Sequence, residues 1–230
     1  MNLAQTNLQL YQQLRDAGFT ADELSIIQRD NETACLLFGS NIRSSGKSFL
    51  CHAVGTASAA AHAEAEFDAI RCAFLHAAYK HGRFPNGTRG KTPAHRQWLT
   101  PRVGPKVEDM IFRFGSYPFG IPVVRALVTS GNLDGQDKTM LLLKLCNEID
   151  DTYCYGALLG HKSRYKDTHY LADLAAVSTM AGYAGFAAHF STVQAQMKDA
   201  GWLDATTEFD RRPFKRNSLF EVWRALNGKR

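Results

Sequence analysis

Lys138-Thr-Met-Leu-Leu-Leu-Lys-Leu-Cys146 opens the stretch on which the fold reading turns, Asp134 to Arg216. A polar loop leads from it to Leu171-Ala-Asp-Leu-Ala-Ala-Val177, and the Gly-rich turn Ala181-Gly-Tyr-Ala-Gly185 precedes a third segment, Phe186 to Ala200. In all three, apolar residues recur at the 3–4 spacing that gives a helix one buried face. Gly201-Trp-Leu203 and the basic strip Phe209-Asp-Arg-Arg-Pro-Phe-Lys-Arg216 close the region. Within the third segment Phe186, Phe190, Val193 and Met197 share an inner face. His189, Thr192, Gln196 and Asp199 fall to one side of it, and Ser191, Gln194 and Lys198 to the other.

Outward from this region the chain reads as mainly helical. Leu3, Leu8, Leu10, Tyr11 and Leu14, followed by Gly18, predict an amphipathic N-terminal helix with a glycine stop. Thr20-Ala-Asp-Glu23 predicts a capping box and a short second helix to about Arg29. The apolar runs Thr33–Phe38 and Ser48–Val54, joined by a polar loop, predict a small β-hairpin. A long helix from Ala57 to His81 is expected to pack on it. Residues 82–106 hold four of the seven prolines and predict a long basic loop. The expected fold class is therefore α+β, mainly α, with a small α+β unit at 1–106 and a helical unit at 107–230.

The 230 residues carry a net charge of +5, unevenly spread. No acidic residue stands between Asp68 and Glu108, whereas Arg71, Lys80, Arg83, Arg89, Lys91, Arg96, Arg102 and Lys106 do. With Arg211, Arg212, Lys215 and Arg216 near the end, two basic regions suit a polyanion touched at two places. The five cysteines include no Cys-x-x-Cys pair, which speaks against a disulfide framework or a thiolate zinc site. No run long enough for a membrane span and no apolar leader occur, so a cytoplasmic location without a membrane partner is expected.

Candidate chemistry is sparse. His62-Ala-Glu64 resembles the His-x-Glu of zinc-dependent nucleobase deaminases, which implies a zinc ligand and a general acid/base. That family completes its site with Pro-Cys-x-x-Cys. The downstream Pro93-Ala-His-Arg-Gln97 offers only His95 and no cysteine, so a deaminase-like hydrolase using His62, Glu64 and His95 stands as an alternative. Gly46-Lys-Ser48 has the ending of a phosphate-binding loop, but position 41 is Asn41 rather than glycine, and a strand-like run follows. Asp150 and Asp151 are adjacent on a helix and are assigned to solvated surface. No metal site and no cofactor are expected.

The region 134–216 resembles the winged helix-turn-helix of phage and plasmid replication proteins and bacterial regulators. The matching residues are Leu133, Lys138, Leu141, Leu142, Leu145, Leu171, Ala172, Ala175, Gly182, Val193, Met197, Gly201, Trp202 and Leu203. The resemblance implies nucleic-acid binding, DNA or RNA, within a nucleoprotein complex and with other protein subunits as possible partners. Recognition would fall to His189, Thr192, Gln196 and Lys198, and backbone contact to Arg211, Arg212, Lys215 and Arg216. Arg83, Arg89, Lys91, Arg96, Arg102 and Lys106 would add the second basic surface. Ala184-Gly-Phe-Ala-Ala188 stands where such domains carry a polar Ser-x-x-Thr-Val, which points to backbone- or shape-directed binding. A protein-interaction subunit without nucleic-acid contact is the remaining alternative.

Overall fold

The computed structural model describes residues 1–43, 45–153, 164–167 and 169–199. Among these residues the chain is all-α. No strand occurs, and the one β-type pairing is an isolated antiparallel bridge between Ile42 and Ser48. The expected α+β class with a hairpin is thereby corrected. The first five helices are α1 (Asn7–Asp16), α2 (Ala21–Phe38), α3 (Phe49–His62), α4 (Phe67–Leu75) and α5 (Ala78–His81). The next six are α6 (Pro93–Val103), α7 (Pro105–Phe114), α8 (Ile121–Ser130), α9 (Lys138–Tyr153), α10 (Tyr170–Met180) and α11 (Ala184–Asp199).

Both runs assigned to the hairpin are helical for local reasons. The capping box at Thr20 forms, with Glu23 accepting from the Thr20 N–H at 2.8 Å, and it starts a helix longer than expected. Ile27, Asp30, Ala34, Leu37 and Phe38 continue its buried face, so Thr33–Phe38 is the end of α2. Ser48 then caps α3 by accepting from the Cys51 N–H at 3.1 Å. Short apolar runs fit a buried helix as well as a strand, and here α3 is buried almost all round from Phe49 to Ala60.

The expected long helix over 57–81 is interrupted after His62. Glu64 takes a left-handed conformation (φ 54), with Ala65 N–H on Ala60 O at 3.1 Å and Glu64 N–H on Ala61 O at 3.0 Å. This is a Schellman-type stop with a glutamate where glycine is usual. His62 and Glu64 therefore lie at a helix C-terminus, not within a continuous helix. The predicted loop 82–106 also contains a helix. Thr92 caps α6 through the His95 N–H at 3.2 Å, and Pro93 occupies its first turn.

One hydrophobic core runs from Leu3 to Met197, with α3 packed on α4 and α9, and α10 on α8 and α11. Phe186, Phe190, Val193 and Met197 are all buried in it, as their spacing indicated. At the crossing of α3 and α9 the backbones approach closely. A Cβ on Gly55 would stand 1.7 Å from Oδ1 of Asp150. Among the described residues no helix is long and apolar enough to cross a membrane.

Candidate functional site

The α3–α9 crossing gathers the largest group of buried ionisable side chains among the described residues. His52 comes from the first turn of α3, His76 from the residue after α4, and Glu148, Asp150 and Asp151 from the last turns of α9. All five are buried. Asp150 and Asp151, assigned to solvated surface from their adjacency, are 0% and 6% exposed. Cations meet them from the loop before α3: Lys47 Nζ lies 2.6 Å from Asp150 Oδ1, and Arg43 pairs with Asp151. Arg164 bonds Glu148 at 2.5 Å and Asp151 at 3.2 Å, and the Tyr165 hydroxyl donates to Glu148 at 2.7 Å.

The two imidazoles are held in defined orientations. His76 Nδ1 is 2.7 Å from the carbonyl of Ala73, which can only accept, so Nδ1 carries the proton. Burial, then the neighbouring His52, holds the His76 pKa well below its usual value and keeps that ring neutral. Its Nε2 is thus a lone pair. His52 Nδ1 lies 2.7 Å from Asp150 Oδ2 and 2.9 Å from the Arg43 guanidinium, so it meets an acceptor and a donor at once. The Nε2 atoms of the two rings face each other at 3.2 Å. Two facing lone pairs repel, so this approach needs a hydrogen or a metal ion between the nitrogens. One ligand atom from each of His52, Asp150 and Asp151 also lies within 4.8 Å of the others.

Opposing forces set the charge of this floor. Burial raises the Asp151 pKa, but Arg43, His52 and Arg164 together outweigh it and leave it below the usual value. At Glu148 burial prevails over Arg164, and its pKa is raised. The floor opens into a cleft of about 430 Å³ whose walls include Phe49, Lys80, Lys91, Phe114, Lys144 and Arg164. Burial, then Lys80, brings the Lys144 pKa down to about 8. Lys47, which follows Gly46 and precedes the Ser48 cap, faces Asp150. A helix does follow Gly46-Lys-Ser48, contrary to the expected strand.

Apart from Lys91, the described residues singled out from the sequence are placed elsewhere. His95 is buried, stacked on Phe84 at 3.9 Å, with Nδ1 donating to Gly90 O at 2.7 Å. It fastens the 82–92 segment and is not part of the metal-capable group. His62 is bonded to Asn2 O at 2.8 Å. A second groove, of about 770 Å³, brings His62 and Glu64 together with His189, Thr192 and Gln196. His189 is half-buried and bonded to Thr152 at 2.9 Å, and its pKa is lowered to about 4, first by burial. Thr192, Gln196 and Lys198 are exposed.

Among the basic residues, Arg96 forks onto Glu108 at 2.8 and 2.6 Å, Lys106 pairs with Asp68 at 2.9 Å, and Arg102 lies 4.0 Å over Trp98. Arg83 is exposed and Arg89 half-buried, while Lys91 lines the cleft. Arg211, Arg212, Lys215 and Arg216 lie outside the described residues. Sequence alone does not single out His52 and His76, because each sits inside an apolar run. The one usable signal was three acids within four positions, Glu148-Ile-Asp-Asp151, in a helix otherwise apolar on its core side. No family model matches the chain, and no curated protein matches it either.

Proposed function

We propose that the cleft is a metal-dependent hydrolytic site for a phosphate-bearing small molecule. The observation that carries this reading is the pair of facing Nε2 atoms, 3.2 Å apart, on rings whose Nδ1 atoms are already engaged by Asp150 and by the Ala73 carbonyl. Two metal–nitrogen bonds of about 2.0–2.1 Å meeting at roughly 100° span that separation. Anchoring by a carboxylate for one ring and a backbone carbonyl for the other is the outer-shell arrangement that orients ligating histidines. A divalent ion bound there would polarise a phosphoryl oxygen and activate water. Asp150 would orient His52 through its Nδ1, and water and the phosphate ligand would fill the remaining positions on the ion. Arg164 and Lys144 on the walls favour an anion, and a guanidinium suits phosphate in particular.

The test is uptake of Mn²⁺, Co²⁺ or Zn²⁺ by the purified chain, followed by hydrolysis of simple phosphate monoesters with the metal and with chelator. Hydrolysis that depends on metal and disappears in His52→Ala supports the reading. A chain that takes up none of the three ions sinks it.

Nucleic-acid binding is the second reading, supported by the exposed polar row Thr192, Gln196 and Lys198 over the buried face of α11. Replacing Arg211, Arg212, Lys215 and Arg216 together by Ala should weaken binding and flatten its salt dependence. Equal salt slopes for variant and parent would remove this reading.

A further inference from the structure

The cations of the cleft divide into two groups. Three are matched: Lys47 by Asp150, Arg43 by Asp151, and Arg164 by Glu148 and Asp151. The lysines of the wall are not. Lys80 on α5, Lys91 before α6 and Lys144 on α9 converge on the same cleft, and among the described residues none forms an ion pair with a carboxylate. Lys144 Nζ rests 3.8 Å from the centroid of the Phe114 ring, and Lys91 Nζ 4.4 Å from that of Phe112 while donating to Ser116 Oγ. Cation–π contact fixes these ammonium groups without neutralising them.

The unmatched group stands next to the histidine floor. The Phe114 ring has Lys144 on it and His76 at 4.9 Å between centroids, so one aromatic ring separates the two. Like charges gathered in a partly desolvated cleft repel one another, and the Lys144 pKa of about 8, lowered by burial and then by Lys80, is a sign of that cost. A ligand bearing the opposite charge would remove it.

We infer that Lys80, Lys91 and Lys144 form a second anion subsite beside the histidine floor, and that the ligand of the cleft carries a diphosphate rather than a single phosphate. A phosphate monoester brings about −1.5 to −2 at neutral pH, less than the three unmatched ammonium groups carry. The second phosphoryl group answers the three unmatched ammonium groups. This inference rests on the cleft being a phosphate-ligand site, but not on the metal.

The experiment titrates inorganic pyrophosphate and orthophosphate into the full chain, calorimetrically, at low salt with chelator present. Pyrophosphate is expected to bind at least tenfold more tightly than orthophosphate. That preference should fall at least threefold in Lys80→Ala and at least tenfold in Lys144→Met, and return in Lys144→Arg. Equal affinity for the two anions, or an unchanged preference in both lysine variants, overturns the inference. So does a single-stranded oligonucleotide that displaces pyrophosphate at equal phosphate concentration, because the subsite would then serve a polyanion backbone. Metal uptake, measured separately, reports on the hydrolytic reading. A chain that prefers pyrophosphate but takes up no metal keeps the subsite and loses the hydrolase.

Discussion

Gly55 on α3 and Asp150 on α9 are so close that a Cβ at position 55 would stand 1.7 Å from the Asp150 carboxylate oxygen and 2.7 Å from its carbon. The glycine is there to admit the carboxylate that orients His52, and this sets the first expected outcome. Gly55→Ala gains about 1 kcal/mol of helix propensity. It also forces a buried, ion-paired carboxylate off Lys47 and His52, a loss of about 3–5 kcal/mol. The net expectation is a destabilisation of about 2–4 kcal/mol in urea unfolding. A variant as stable as the parent would mean that Asp150 moves aside freely.

Glu64 carries the opposite lesson, a side chain where the backbone favours none. Its φ of 54 at the end of α3 is the left-handed region in which glycine is relaxed. Glu64→Gly should raise stability by about 0.5–1 kcal/mol, the relief of strain exceeding the entropy that glycine adds to the unfolded chain. Thermal unfolding checks this, and a lower midpoint would count against the strained assignment.

Lys144 makes stability depend on pH in a direction unusual for lysine. Its pKa falls from the ordinary 10.5 to about 8 in the folded chain, first through burial and then through Lys80, with Arg164 and Lys91 adding and Glu148 opposing. Below pH 8 the group is charged in both states, and folding carries the penalty. Between about 8 and 10.5 the folded chain releases the proton while the unfolded chain holds it, so stability from this group rises with pH. Lys144→Met should therefore stabilise the protein at pH 7 by about 1–2 kcal/mol, discounted for partial exposure, and remove that rise. A steeper pH dependence in the variant would contradict the assignment.

The parts of the fold visible in the sequence are those with long period or explicit capping. Thr20 and Glu23 form the expected box, Leu10 and Leu14 are buried on α1, and Phe186, Phe190, Val193 and Met197 share the buried face of α11. The misread hairpin has one physical origin: full burial erases periodicity. In α3 residues on every side are apolar or small, so Ser48–Val54 has no polar face to show a helical repeat and reads as a strand. Thr92-Pro93 was a start signal for α6 that the surrounding prolines and glycines masked. The site was hidden for a related reason. Adjacent Asp150 and Asp151 point to different partners, yet both are enclosed because cations arrive from a loop about a hundred residues earlier, and pairing of that kind has no local signature.

The most direct measurement is divalent-ion uptake by the parent and by His76→Ala, read by metal analysis after dialysis, with circular dichroism on the same samples to confirm helicity. The expected result is that the parent retains one ion per chain, while a folded His76→Ala retains none, because one imidazole does not hold the ion while Asp150 and Asp151 are engaged by Lys47, Arg43 and Arg164. Equal uptake by both proteins, or none by the parent, would show that His52 and His76 share only a proton.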